Sequence, residues 1–157
     1  VIVVLQRVGR ATVAVDGEAV ASIDHGLLLL ACAVEGDGPD DARWLGRKIA
    51  ALRVFADEQG QTNLALADVG GAVLLVPQFT LAADWRKGRR PSFTRAAAPA
   101  QATALLECLA APLREAGLGV AMGPFGADMA VELLNDGPFT LILDSAVRPR
   151  PGAPASP

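Results

Sequence analysis

The sequence predicts an α+β fold of mostly antiparallel and mixed β-sheet, barrel-like, in β/β/α layers with two covering helices. Three observations predict it. Runs rich in Val, Ile and Leu recur between turn residues from the start of the chain to about residue 143. Residues 39–52 and 99–116 carry apolar side chains at helical spacing, which gives a helix one face for a core. No repeat or linker interrupts this pattern. One domain over residues 1–145 is therefore expected, followed by a Pro-rich, disordered tail over 146–157.

In order, residues 1–8 read as a strand of β-branched residues, and residues 11–15 read as a second. Asp16-Gly17 is a hairpin turn into 18–23, because Gly accepts positive φ at little cost. The unbroken apolar run 26–34 reads as a strand buried on both faces. Pro39, Asp40 and Asp41 suit a helix N-terminus. Ala42, Leu45, Ile49 and Leu52 then mark its apolar face. A polar connection at 57–63 and the Gly70-Gly71 turn lead to a strand at 72–76. Residues 84–93 are a basic loop. Pro112 is expected to kink or end the second helix. A short strand at 120–122 follows. Residues 128–134 and 139–143 read as two strands joined by Asn135-Asp136-Gly137-Pro138, and hairpins are expected to make most of the strand connections.

Composition narrows the function. Hydrophobic residues are 52% and charged residues 20% of the 157, so the chain is globular rather than disordered. At this length it buries roughly 70% of its unfolded surface and needs no disulfide or metal to hold it. Cys32 and Cys108 read as small buried hydrophobes, consistent with a reducing, cytoplasmic location. No signal peptide or membrane span is visible. The richness in Ala, Gly, Pro and Arg reads as a GC-biased bacterial gene, with Val1 as a translated GTG start. A net charge of −3 gives no global attraction to nucleic acid, though a local basic loop is enough to steer a phosphate end.

The usual catalytic engines are missing. His25 is the single histidine, and it sits in a turn where it reads as solvated. No G-x-S-x-G elbow is present and no cysteine is placed as a nucleophile. One His and two isolated cysteines build no zinc site, so neither a metal nor a cofactor is expected. Two strand-end segments remain. In Pro77-Gln78-Phe79-Thr80-Leu81, an amide, a hydroxyl and backbone N–H groups lie together, which suits an oxyanion or a carbonyl. Asn135-Asp136-Gly137-Pro138 reads first as a hairpin turn, and a Gly-Pro bond also tolerates the cis form. The loop Trp85-Arg86-Lys87-Gly88-Arg89-Arg90-Pro91-Ser92-Phe93 puts four cations beside two aromatics. It is either a solvated loop or a surface for phosphates and stacked bases of a single-stranded RNA end.

Five blocks together resemble the D-tyrosyl-tRNA (D-aminoacyl-tRNA) deacylase family over residues 1–145. They are Ile2-Val3-Val4-Leu5-Gln6-Arg7-Val8, Gln78-Phe79-Thr80-Leu81, Lys87-Gly88-Arg89-Arg90-Pro91-Ser92-Phe93, Phe125-Gly126-Ala127-Asp128-Met129 and Asn135-Asp136-Gly137-Pro138-Phe139-Thr140. Each is weak alone; in this order they are specific. The resemblance implies a homodimer with active sites at its interface, acting on the 3′ end of aminoacyl-tRNA and not on DNA. It implies that Gly137-Pro138 is a Gly-cisPro motif that enters the partner's site and rejects L-residues, and that Arg7 locks it. Gln78, Phe79 and Thr80 would cradle the ester and terminal ribose, with Pro77 and Asn135 beside the substrate. Phe125 and Met129 would line the adenine pocket. Lys87, Arg89 and Arg90 would meet tRNA phosphates. The family's own chemistry uses the terminal 2′-OH of the RNA, which matches the missing side-chain base. One position departs: Pro77 stands where Ser is usual, as in a related branch that clears certain L-amino acids and carries a different turn motif.

The expected function is hydrolysis of the ester of D-aminoacyl-tRNA, and of glycyl-tRNA mischarged on tRNA-Ala. A site that rejects by side-chain clash cannot exclude glycine. A non-catalytic RNA- or nucleotide-binding module is the rival from a different class, and an unrelated small esterase is a third.

Overall fold

A computed structural model describes residues 1–149. Eight strands and two helices follow the order β1 (Ile2–Val15), β2 (Glu18–Ile23), β3 (Gly26–Cys32), α1 (Pro39–Ala51), β4 (Arg53–Ala56), β5 (Thr62–Ala65), β6 (Ala72–Pro77), α2 (Pro99–Glu115), β7 (Gly119–Met122) and β8 (Ala130–Asp144). One mixed sheet runs β2-β1-β3-β6-β7, with β8 on the other side of β1, and β4-β5 form a small separate pair. The large sheet curls nearly into a barrel, as the expected α+β class requires.

Two long strands replace four short ones. β1 is continuous where two strands were expected, and so is β8. The two pair along their length, from Ile2 opposite Asp144 to Ala14 opposite Ala130. Register shifts near Gln6, Val8 and Arg10 absorb the irregular Asn135–Pro138 stretch. Asn-Asp-Gly-Pro is therefore a bulged kink within a strand rather than a hairpin turn: a neighbouring strand supplies the pairing that a turn would have ended. The Asp16-Gly17 turn forms as expected, with φ of 52° and 83°.

Nor do hairpins make most of the connections. β3 pairs parallel to β6, and β6 parallel to β7. Parallel neighbours need a crossover, and α1 and α2 lie within the two crossovers. Both helices pack on the sheet face of Val3, Leu5, Leu27, Leu29, Val73 and Leu75. Each such leucine, fully buried, contributes about 1.5–3 kcal/mol. The opposite face holds a second core around Val8, Leu28, Leu74 and Val76, where the sheet closes on itself.

Helix α1 begins as the sequence suggested. The Asp41 carboxylate accepts the Gly38 N–H at 3.0 Å. That bond first, then Arg148, holds the carboxyl below its ordinary range despite some desolvation. The helices touch closely at Gly46, where a Cβ would lie 2.3 Å from the Leu109 carbonyl oxygen. Pro112 does not end α2, which continues to Glu115. Cys32 is buried as expected, but Cys108 is only half-buried.

The first part of the expected tail is structured. Ser145–Val147 form a 3-10 turn, and Arg148 reaches Asp41 at 3.2 Å. The rest of that expectation, residues 150–157, lies outside the described residues. Among the described residues, no helix is long and apolar enough to cross a membrane.

Candidate functional site

At the end of β6 the chain leaves the sheet through Pro77 and Gln78. Gln78 donates its N–H to the Ala31 carbonyl at 2.8 Å. A 3-10 turn then runs over Phe79–Ala82. The first N–H groups of such a turn have no acceptor within it, so those of Phe79 and Thr80 are free to meet a ligand oxygen. Gln78 Nε2 donates to Thr80 Oγ1. Cys32, on the neighbouring strand, donates its thiol to the Phe79 carbonyl at 3.5 Å, and burial pushes that thiol's pKa up.

Two cavities flank this turn. One, of about 420 Å³, is walled by Cys32, Phe79, Phe93, Ala97, Ala102 and Leu106. The other, of about 290 Å³, is walled by Gln78, Phe79, Phe125, Asp128, Met129 and Val131. Pro77 and Phe125 line both. The structure thus brings Pro77, Gln78, Phe79, Thr80, Phe125 and Met129 together, as the sequence suggested.

The basic loop adjoins the larger cavity. Asp84 and Ser92 close it with reciprocal backbone bonds of 2.7 and 2.8 Å. Arg86 folds back onto Asp84, with N–O distances of 2.8 and 2.9 Å. That bidentate contact lowers the Asp84 pKa and raises that of Arg86. Lys87, Arg89 and Arg90 are exposed, and among the described residues no ion pair holds them. Trp85 is 75% exposed. Phe93, 37% exposed, meets Phe79 edge-to-face, with centroids 5.2 Å apart.

Arg7, Asn135, Gly137 and Pro138 form a second group elsewhere. The Arg7 guanidinium donates to the Asp136 carbonyl at 3.0 Å, to the Gly137 carbonyl at 2.8 Å and to the Val54 carbonyl. It pairs with the Asp136 carboxylate at 3.0 Å and lies over the Phe139 ring, 4.8 Å from its centroid. Its side chain is only 11% exposed, and these partners satisfy its charge. Gln6 donates to Asn135 Oδ1 at 3.1 Å. The Gly137-Pro138 peptide is cis, and both residues are exposed.

The two groups do not meet within one chain. Pro77 aligns with Ala31 and Val3, whereas Arg7 aligns with Leu27 and Val73. That is a shift of about 13 Å along the strands, with β1 and β3 between β8 and β6. Gly137 also follows Val131, a wall of the smaller cavity, by six residues of β8, about 20 Å of extended chain. His25 is exposed and packs against Phe55 at 5.1 Å. It precedes Gly26 at the far end of β3 from Ala31, about 17 Å or more along the strand, so no histidine serves Thr80. Among the described residues, no cluster of His, Cys, Asp and Glu could hold a metal ion. Sequence reasoning missed Cys32, Ala97, Ala102 and Leu106 as cavity walls, since small and apolar residues read as core or connection.

A family model described as D-Tyr-tRNA(Tyr) deacylase matches residues 4–144. The D-aminoacyl-tRNA deacylase of Anaeromyxobacter dehalogenans is 56% identical over 142 residues, which cover 90% of this chain and 95% of that protein. The D-aminoacyl-tRNA deacylase of Heliobacterium modesticaldum is 54% identical over 140 residues, covering 89% and 93%. The solved structure of a c-Myc DNA Unwinding Element Binding Protein superposes with a TM-score of 0.84 at 36% identity, covering 92% of this chain and 98% of that one. A probable eukaryotic D-amino acid tRNA deacylase, 18% identical, shares the fold with a TM-score of 0.77 over 90% of this chain and 97% of its own.

Fold and matches together define a class: hydrolases that cleave the ester joining an amino acid to tRNA. Within it, the chain belongs to the D-aminoacyl-tRNA deacylase family.

Proposed function

We propose that this deacylase works as a homodimer in which each subunit supplies half of each active site. Gln78, Phe79 and Thr80 of one subunit cradle the ester at the 3′ end of aminoacyl-tRNA. Gly137 and Pro138 of the other meet the substrate's amino group with their carbonyls. An L-side chain then collides with backbone, whereas a D-residue or glycine fits, so glycyl-tRNA mischarged on tRNA-Ala is also cleaved. Phe125 and Met129 hold the terminal adenine, Asn135 steadies the Gly137-Pro138 segment through Gln6, and Lys87, Arg89 and Arg90 contact phosphates.

Hydrolysis needs little side-chain chemistry in this reading. Water adds to the ester carbonyl carbon, and the oxyanion is stabilised by the N–H groups of Phe79 and Thr80. The terminal 2′-OH assists proton transfer to the departing ribose oxygen. Positioning supplies much of the acceleration, and Thr80 is not a nucleophile, because no base stands beside it.

The observation that carries this reading is Arg7. A nearly buried guanidinium fixes the Asp136 and Gly137 carbonyls at an exposed corner that lines neither of the two cavities beside the Phe79–Ala82 turn. The test is deacylation by the purified protein of D-Tyr-tRNA, L-Tyr-tRNA, glycyl-tRNA-Ala and L-Ala-tRNA. Cleavage of the D- and glycyl-tRNAs alone is expected. Cleavage of L-Ala-tRNA would mean that Pro77, rather than Gly137-Pro138, sets the selectivity.

A further inference from the structure

We propose that Phe93 is a positioning residue that couples the basic loop to the catalytic turn, so that a tRNA held by the loop raises turnover as well as affinity. The inference rests on the reading of Lys87, Arg89 and Arg90 as phosphate contacts, and goes beyond it.

Two independent features carry it. The loop is a braced unit rather than a slack one. Its two ends are joined by the Asp84–Ser92 backbone pair, and its first turn is braced by the forked Arg86–Asp84 contact. Phe93 is the next residue after that clamp, so displacement of the clamp moves its ring directly. Phe93 then meets Phe79 edge-to-face. Phe79 is 55% and Phe93 37% exposed, and among the described residues Phe93 is the aromatic partner of Phe79. Phe79 opens the 3-10 turn that presents the N–H groups of Phe79 and Thr80. The path from loop to turn is therefore one covalent step and one ring contact. Trp85, exposed on the other flank of the loop, remains available to stack on a base.

An edge-to-face aromatic pair, if its contact is fully used in the transition state, corresponds to roughly a two- to tenfold rate effect. The test compares two substrates, D-Phe-tRNA and 3′-O-(D-phenylalanyl)adenosine. The second lacks the phosphates that the loop would hold. The quantity read is the ratio of kcat on the tRNA to kcat on the adenosine ester. In the unaltered protein this ratio should exceed one. In Phe93→Leu it should fall by about two- to tenfold, with the Kd for tRNA little changed. Leu keeps the apolar volume near the larger cavity, so folding should persist, and the ratio cancels any general loss of active protein. An unchanged ratio in Phe93→Leu, with equal loss or no loss on both substrates, overturns the coupling. The variant Lys87→Ala/Arg89→Ala/Arg90→Ala separates this from the underlying reading. It should weaken tRNA binding and reduce the salt slope by about two to three. If it binds tRNA as before, the assignment of the loop has failed. If binding weakens but the Phe93→Leu ratio stands, only the coupling has failed.

Discussion

The strand-end turn at Gln78–Thr80 and the corner at Arg7 and Gly137 are built in opposite ways. The first has volume: two cavities, aromatic walls and N–H groups with no acceptor in their own turn. The second has rigidity: one guanidinium holds carbonyls, a carboxylate and a ring in place. It is exposed, and it lines neither of those two cavities. A cavity tolerates side-chain motion, but the chirality filter proposed at the second would not, and only the second is fixed by a nearly buried charge. The sheet face shows the same incompleteness. It buries Leu28, Leu74 and Val76, but level with Val76 the β8 residue Ile142 is 78% exposed.

The comparison breaks most completely if the two regions are kept from meeting. If the proposed dimer forms across this face, Ile142→Asp should make the protein monomeric by light scattering and bring deacylation to background, because the proposed site would then lack its second half. A monomer with full activity would show that the two regions do not work across subunits. Next in size, Arg7→Ala should lower kcat/KM on D-Tyr-tRNA on the order of 10²-fold, the worth of two charge-assisted hydrogen bonds. Arg7→Lys should rescue little of it, because an ammonium cannot reproduce the planar fork. Full activity and unaltered selectivity in Arg7→Lys would make the corner merely structural. The smallest effect is expected at Thr80. Thr80→Ala should stay within about threefold of the parent rate, since its backbone N–H survives the change. A covalent aminoacyl adduct on Thr80, seen by mass spectrometry, would reverse the assignment.

Much of this was legible in the sequence, for identifiable reasons. β3 and both helices follow from apolar periodicity, and the β1-β2 turn follows from Asp16-Gly17. The continuity of β8 was not legible, because Asn135-Asp136-Gly137-Pro138 has the composition of a turn and only its pairing with β1 keeps it extended. The β4-β5 pair was missed because Arg53–Ala56 comes directly after α1 and Thr62–Ala65 begins in the stretch that read as a polar connection. Parallel pairing of β3, β6 and β7 depends on crossovers whose direction leaves no local mark. At the site, Gln78, Phe125 and Met129 were found through motifs and indeed converge. The contact of Phe93 with Phe79 was not, since in sequence it shares a basic loop with the exposed Trp85.

Gly46 has a consequence for how this chain tolerates change. Its missing side chain lets α1 rest against the backbone of α2 at Leu109, and α2 supplies Ala102 and Leu106 to the larger cavity. A methyl group at position 46 would press on Leu109 and Pro112, and α2 would yield by moving as a rod. The width of the cavity beside the Phe79–Ala82 turn is thus inherited from a contact between two helices. A lineage that altered residue 46 would reshape that cavity without touching a single residue that lines it.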